Sequence, residues 1–94
     1  MPTEQEKDET FDLIQDRLEE PLMKDKVNVQ VRTGYEAALK ILDGEMQEHE
    51  IVNIKGVQAS AIAMITFDYL KGTCTQQVLV NVPLKQPLIK ATLN

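Results

Sequence analysis

Histidine and cysteine supply much of the acid–base and nucleophilic chemistry of proteins, and this chain has one of each. His49 lies among Glu45, Glu48 and Glu50, a set of side chains that could bind a divalent cation or relay a proton. On a strand, residues 48, 49 and 50 alternate between opposite faces. Glu45 would meet His49 only if a helix continued past Gly44. We therefore expect an exposed polar loop here, with no metal bound.

Cys74 is the only cysteine, so the chain has no internal disulfide and no zinc site built from its own thiolates. A catalytic thiolate needs a base, and His49 is the only imidazole available. A small enzyme centred on His49 or Cys74 is one alternative, although a structural cysteine is the simpler interpretation. No cofactor is expected, because the sequence contains no glycine-rich phosphate loop, nucleophile elbow or dinucleotide fingerprint.

Acidic residues are concentrated at the N-terminus. Residues 1–20 hold eight acids against Lys7 and Arg17, a net charge of −6, so the remainder of the chain sums to about +1 of the total of −5. Asp12 and Asp16 are one helical turn apart on the predicted wet side. We expect this face to be solvated, and it is a candidate surface for a protein partner.

This charge distribution argues against nucleic acid as the partner, because phosphates would be repelled by the acidic segment. Lys24, Lys26 and Arg32 nevertheless form a small basic patch. A nucleic-acid-associated protein that uses this Lys24/Lys26/Arg32 surface is therefore the second alternative function.

Local patterns in the first half predict two helices and a strand. Phe11, Ile14 and Leu18 recur at helical spacing and predict a helix that ends before Pro21, after a frayed acidic stretch at 1–8. Residues 27–32 alternate Val with polar residues, which predicts a strand with one buried face. Residues 33–36 match a capping box and predict a helix over 34–43, closed by Gly44.

The second half is strongly apolar: between residues 51 and 84 the only charged side chains are Lys55, Asp68 and Lys71. It predicts strands at 51–54, 61–70 and 73–82, with turns at 55–56 and 71–72. A helix is the rival interpretation of 61–70, because Ala and Met are good helix formers and Gly72 could cap it. The alternation over 73–82 favours the strand.

These elements combine into a single α+β domain over residues 1–94. The predicted order is α-β-α-β-β-β, with one mixed or antiparallel sheet and two helices on one face of it. Residues 84–94 form an apolar C-terminal arm that packs on its own sheet or on a neighbour's.

The expected function is that of a small acidic, non-enzymatic protein-binding or regulatory domain that forms homo-oligomers. The apolar stretch at 51–70 is interrupted by polar residues and is no membrane span, and no basic start precedes an apolar run as in a signal peptide, so we expect a cytoplasmic protein. The predicted interaction residues are Val78, Val80, Val82, Leu84, Leu88, Ile89, Asp12 and Asp16.

Overall fold

The computed structural model describes residues 1–88, and all regular structure in that range is helical. Because residues 1–88 contain no β-strand, the predicted α+β sheet fold is wrong, and the domain is a small helical bundle. The described residues form four α-helices, α1 (Glu4–Leu18), α2 (Val29–Leu42), α3 (Val57–Lys71) and α4 (Gln76–Val80), and 3-10 helices at Pro21–Lys24, Lys26–Asn28 and Glu48–Asn53.

Helix α1 begins at Glu4, within the stretch 1–8 that the sequence analysis expects to be frayed. The Thr3 hydroxyl accepts the Glu6 amide at 3.1 Å, and the Glu6 carboxylate accepts the Thr3 amide at 2.7 Å. This capping box satisfies two amides that a helix start leaves open. The predicted end of the helix before Pro21 is confirmed, since α1 ends at Leu18.

Residues 27–32 were predicted as a strand, and the structure places them in helix. Asp25 accepts the Val27 amide at 2.9 Å and starts a 3-10 turn that leads directly into α2. Val31 is buried, whereas Val29 is 45% exposed. The buried residues of α2 instead follow a helical period: Val31, Gly34, Tyr35, Ala37, Ala38 and Ile41. The alternation of valines is therefore compatible with a turn of helix as well as with a strand. The packing of the buried residues selects the helix.

The predicted capping box at 33–36 is also wrong, because these residues lie inside α2. A helix is present over most of the predicted range 34–43, but it begins earlier than predicted, at Val29. Gly44 follows the helix with a positive φ of 77° and donates its amide to the Ile41 carbonyl at 3.1 Å. The predicted strand at 51–54 falls within the 3-10 helix Glu48–Asn53 and the residue after it.

Residues 61–70 form the centre of α3, so the rival helical interpretation is the right one. The buried residues of α3 are Ala59, Ile62, Ala63, Thr66 and Tyr69, a helical spacing. Gly72 ends α3 in the left-handed conformation, with a φ of 84°, and its amide donates to the Tyr69 carbonyl at 3.1 Å. The 71–72 step is therefore a helix cap and not a hairpin turn.

The predicted strand at 73–82 is a short helix, α4, followed by extended chain. The Thr75 hydroxyl caps α4 by accepting the Val78 amide at 3.3 Å. Leu79 and Val80 are both buried, although they are adjacent in sequence, whereas a strand would place them on opposite faces. Residues 81–88 then run without regular structure.

Two apolar clusters form the core. The larger joins α1, α2, α3 and α4 around the buried side chains of Ile14, Met23, Val31, Tyr35, Ala38, Ile62, Tyr69, Leu79 and Val80. The smaller joins α2 and α3 to the 3-10 helix at Glu48–Asn53 through Ala37, Ile41 and Ala63. Both clusters include α2 and α3, so this helix pair is the centre of the bundle.

Candidate interaction surface

The most distinctive surface of the protein is the solvent side of α3. Val57 is 86% exposed and Met64 is 56% exposed, and Ala61 between them is exposed as well. Asp68, half-buried, continues the same line along the helix. The four residues are spaced by four, three and four positions, so they form one stripe along the helix. We call this stripe, Val57–Ala61–Met64–Asp68, the outer face of α3.

The opposite side of α3 is fixed by a close crossing with α2. A Cβ atom added to Gly34 would lie 2.8 Å from the Cβ of Ile62 and 3.1 Å from the Ala59 carbonyl oxygen. The absence of a side chain at Gly34 therefore lets the backbone of α2 approach α3 at this point. One side of α3 is committed to this contact, and Val57 and Met64 of the outer face are exposed to solvent.

The start of α3 lacks a side-chain cap from its own N-cap residue, Gly56. Gly56 has a φ of 105°, and the side chain of Gln30 occupies the space where a Cβ would lie. Gln30 also accepts the Gln58 amide through its Oε1 at 2.9 Å. The first turn of α3 therefore presents its partial positive charge close to Val57, with one amide neutralised by a residue of α2.

The acidic face of α1 is the second exposed surface with a distinct chemistry. It comprises the exposed residues Glu4, Asp8, Glu9, Asp12, Asp16 and Glu19. Lys7 pairs with Glu4 at 2.9 Å, and Arg17 pairs with Glu20 at 2.9 Å. Within residues 1–88, Asp12 and Asp16 belong to no ion pair. Both lie on the exposed side that the sequence pattern predicted, and their role in binding stays a prediction.

In the part of the chain that the structure describes, the carboxyl groups of Glu6 and Glu45 have shifted pKa values. The pKa of Glu6 is lowered from 4.5, because the Thr3 backbone and then the Thr3 hydroxyl hydrogen-bond to its carboxylate. The pKa of Glu45 is raised from 4.5, because the Asp43 side chain hydrogen-bonds with it and adds its own negative charge. The first shift belongs to a helix cap and the second to an exposed acidic pair, so neither marks an enclosed catalytic acid.

The predicted interaction residues of the C-terminal region have different environments. Val80 is buried, and Val82 and Leu84 are half-buried against the larger core cluster. They are therefore largely committed to the core of their own chain, as part of a helix and an extended segment rather than a sheet edge. Val78 is 54% exposed and Leu88 is 99% exposed. Ile89 lies outside the described residues, as does the rest of the predicted arm beyond Leu88.

Three polar side chains from the first two helices and the link between them hold the start of this segment. The Arg17 guanidinium donates to the carbonyls of Val80 and Val82, the second at 2.9 Å. The buried Tyr35 hydroxyl donates to the Val80 carbonyl at 2.8 Å and accepts the Val82 amide at 3.2 Å. Further along the segment, the Asn28 side chain binds the backbone amide and carbonyl of Lys85. These contacts satisfy backbone groups of Val80, Val82 and Lys85 at the end of α4 and in the extended segment after it.

The residues weighed for catalysis lie in different parts of the fold. His49 is exposed on the 3-10 helix at Glu48–Asn53. Cys74 is half-buried in the link between α3 and α4, and lines a surface depression with Glu6, Glu9 and other residues, of which His49 is not one. In residues 1–88 no cluster of three or more His, Cys, Asp or Glu side chains is arranged to hold a metal ion.

The basic residues of the alternative nucleic-acid surface are near one another in sequence and differ in exposure. Lys24 and Lys26 are exposed on consecutive 3-10 helices, whereas Arg32 is half-buried in α2. Asp25 lies between the two lysines and caps the turn that contains Lys26. The patch therefore includes an acid in a fixed position.

The sequence analysis did not identify the outer face of α3. The strand interpretation put Ala61 and Met64 on opposite faces of a sheet. The four-three-four spacing of the stripe, together with the helix propensity of Ala and Met and the possible cap at Gly72, is the signal that identifies it. Arg17, Asn28 and Tyr35 were not singled out either, because a buried polar contact to a distant backbone group leaves no local pattern.

Comparison with protein-family models, with curated proteins and with solved structures gave no significant match to this chain. Within residues 1–88, no helix has both the length and the apolar character needed to cross a membrane.

Proposed function

We propose that this protein is a non-enzymatic interaction domain that binds another protein surface through the outer face of α3. One observation carries the proposal: three successive positions of the stripe, Val57, Ala61 and Met64, are apolar and exposed on a helix whose other side is the core. A helix that is apolar on all sides is typical of one that is covered on all sides.

The magnitude of the apolar contribution supports a partner. Full burial of a Val or Met side chain is worth about 1.5–3 kcal/mol relative to exposure. Single exposed apolar residues are normal on protein surfaces and need no explanation. Val57 and Met64, however, lie two turns apart on one line with only Ala61 between them, so one flat contact could cover both.

The acidic face of α1 supports a protein over a nucleic acid as the partner. Its carboxylates would repel phosphates, and Asp25 reduces the net positive charge of the Lys24–Lys26 region. The same acidic face would favour a partner that is neutral or basic where it approaches α1.

A photo-crosslinking amino acid at position 64 tests the proposal in the host cells. We expect a discrete cross-linked product from position 64 and none from position 36, since Glu36 is exposed on α2 and is not part of the outer face. Adding Val57→Glu to the position-64 variant should abolish the product. Absence of a product at position 64, or equal products from both positions, would overturn the proposal.

A further inference from the structure

We infer that the protein has a binding site for an extended peptide, which residues 81–88 occupy in the structure and which a segment of another protein can occupy in their place. The site lies between α1, the 3-10 helix at Lys26–Asn28 and α2. We call it the peptide groove and define it by the side chains of Arg17, Asn28 and Tyr35, one from each of these elements. It includes no residue of the outer face of α3, so the inference does not depend on the proposed function.

The peptide groove binds the main chain of the segment that it holds. Arg17 donates to the Val82 carbonyl, and the Tyr35 hydroxyl accepts the Val82 amide. Three residues further along, Asn28 donates to the Lys85 carbonyl and accepts the Lys85 amide. Each of these bonds ends on a peptide group, so it is open to segments of other sequence. Main-chain bonds of this kind supply the affinity when a protein binds an extended peptide.

The side chains of the bound segment alternate between the groove and solvent. Val82 and Leu84 are half-buried against the larger core cluster, whereas Asn81, Pro83 and Lys85 are exposed. A period of two is that of an extended chain with every second side chain on one surface. The contacts of those alternate side chains give such a site its specificity. The groove therefore selects a segment with two apolar residues separated by one residue, here a proline that favours the extended conformation.

The polar side chains of the groove are oriented by contacts that do not involve the segment. Asn28 is 1% exposed, and its Nδ2 also donates to the Leu22 carbonyl at 2.9 Å. Arg17 pairs with Glu20 at 2.9 Å, and its guanidinium carbon lies 5.6 Å from the centroid of the Tyr35 ring. None of these contacts uses residues 81–88. A site that is preorganised in this way has a smaller ordering cost when it binds a ligand.

The far end of the segment is held less firmly than its start. Among the described residues, Asn28 is the only side chain that hydrogen-bonds to the chain between 83 and 88. Leu88 is 99% exposed, so its side chain is not buried in the groove. A depression of about 340 Å³ lies at this end, lined by Asp25, Lys26, Val27, Pro87 and Leu88. A segment of another protein whose apolar side chain enters this depression gains a contact that the chain's own segment lacks.

Proximity favours the chain's own segment over a second copy of it. Residues 81–88 follow α4 directly, since Val80 is the last residue of that helix. A short connection corresponds to an effective concentration on the order of millimolar. A second copy offers the same sequence without this advantage, so it does not displace the segment in dilute solution. We therefore assign the groove to a different protein whose segment binds more tightly.

NMR titration of the isotope-labelled full chain with an unlabelled synthetic peptide tests the inference. The peptide has the sequence of residues 81–88, so in the parent protein it competes with the same sequence. Leu84→Ser in the protein weakens this competitor and leaves Arg17, Asn28 and Tyr35 unchanged. We expect the peptide to shift the Asn28 side-chain amide signal saturably in Leu84→Ser. The dissociation constant should be roughly ten-fold lower than in the parent protein, because a half-buried leucine no longer holds the competing segment.

Two altered peptides test whether the main chain is what the groove binds. A methyl group on the backbone nitrogen at the position of Lys85 removes the hydrogen that Asn28 accepts. This peptide should bind Leu84→Ser roughly ten-fold more weakly. The same methyl group one residue later, at the position of the exposed Gln86, is the matched control and should change binding little. Equal binding of the two methylated peptides would overturn main-chain recognition by Asn28.

Pro83→Gly is a second variant in which no buried side chain changes, since Pro83 is exposed. Glycine makes the chain's own segment more flexible when it is not bound, so the peptide should bind this variant more tightly than the parent protein. Circular dichroism identifies the variants that keep the helical content of the parent protein. Absence of a saturable shift at Asn28 in those variants overturns the inference. A shift at Asn28 that grows with the concentration of the protein alone would overturn the different protein and assign the groove to a second copy.

Discussion

Asn28 binds both backbone groups of Lys85. Its Nδ2 donates to the Lys85 carbonyl at 2.9 Å, and its Oδ1 accepts the Lys85 amide at 2.8 Å. The same Nδ2 also donates to the Leu22 carbonyl at 2.9 Å. Asn28 is only 1% exposed, so a single buried amide connects the 3-10 turns before α2 to a residue 57 positions further along. It holds the extended segment in the way that a neighbouring strand would.

Replacing Asn28 by Ala should release the chain around Lys85 from the bundle, whereas Val82 keeps its contacts with Arg17 and Tyr35. All three hydrogen bonds of the side chain are lost, and the Leu22 carbonyl loses this partner, so we expect a loss of about 1–3 kcal/mol in the free energy of unfolding. Urea denaturation measures this loss. Hydrogen exchange at the Lys85 amide should become faster, because its acceptor has been removed.

Two further variants sharpen the Asn28 prediction. Asn28→Asp keeps the acceptor for the Lys85 amide and removes the donor, so Lys85 should stay more protected than with Asn28→Ala. Asn53→Ala is the control, since Asn53 is exposed at the end of a 3-10 helix. Unchanged exchange at Lys85 in Asn28→Ala would show that other contacts hold the segment.

Gly34→Ala should destabilise the protein, although the same change stabilises most helix interiors. Alanine is favoured over glycine in an exposed helix by about 1 kcal/mol. Here the new methyl would lie 2.8 Å from the Cβ of Ile62 and 3.1 Å from a backbone carbonyl, so α2 and α3 must move apart. We expect a net loss of about 1–3 kcal/mol, measured by chemical denaturation.

Glu36→Ala provides the comparison for Gly34→Ala. It lies two residues away on the exposed side of α2, so its effect on the free energy of unfolding should be within about 0.5 kcal/mol. If Gly34→Ala were as stable as Glu36→Ala, the two helices would not be in direct backbone contact at this crossing.

The sequence predicted the parts of the fold that depend on local chemistry. Pro21 after α1 and Gly44 after α2 act on their own backbone, so their effects can be read without knowledge of the tertiary structure. The valines at 27, 29 and 31 are different. They alternate as in a strand, yet Val31 also starts the helical series that continues through Tyr35 and Ala38, and only packing against α3 selects the helix.

The back half was mistaken for a sheet because α3 is apolar on nearly all sides. A strong helical period requires polar residues on one side, and the outer face of α3 has apolar residues there. The exposed apolar residues that make α3 the candidate interaction surface therefore also weaken the helical pattern in its sequence. Helix α4 was missed because only five residues separate Thr75 from Asn81, too few for a period to show.

Tyr35→Phe should cost more stability than Tyr69→Phe. The Tyr35 hydroxyl is fully buried and is the hydrogen-bond partner of the Val82 amide and the Val80 carbonyl. Removing it leaves buried backbone groups without this partner, for an expected loss of about 1–3 kcal/mol. The Tyr69 hydroxyl lies 2.7 Å from the Thr10 hydroxyl, which keeps its bonds to Glu6 and Gln76. Thermal or urea denaturation of both variants gives the ranking, and equal losses would contradict it.

Alkaline pH should destabilise the parent protein more than Tyr35→Phe. Burial raises the pKa of Tyr35 above its usual 10.0, so as the pH rises the unfolded chain loses this proton first. The stabilisation from the neutral phenol is complete below pH 10.0 and is lost as the pH rises toward and through the folded-state pKa. The difference in unfolding free energy between the two proteins, constant below pH 10.0, should therefore shrink above it. A difference that stays constant up to about pH 11 would show that Tyr35 ionises as readily in the fold as in the unfolded chain.

Thr3→Ala should shorten α1 at its start. The variant loses the hydroxyl that accepts the Glu6 amide, at an expected cost of about 0.5–2 kcal/mol. Thr3→Ser keeps this hydroxyl and is the control, with little expected change. The pKa of Glu6 should rise only part of the way toward 4.5 in Thr3→Ala, because the hydroxyl contact is lost whereas the backbone amide at position 3, the larger cause of the lowered pKa, is kept. NMR titration of the Glu6 side chain measures this pKa.

Acid should weaken the parent protein through Glu6. Since the folded-state pKa of Glu6 is lower than that in the unfolded chain, the stabilisation by ionised Glu6 is present above pH 4.5 and is lost as the pH falls through the folded-state pKa. Stability that falls with acid equally in the parent protein and in Glu6→Gln would contradict this role for the cap.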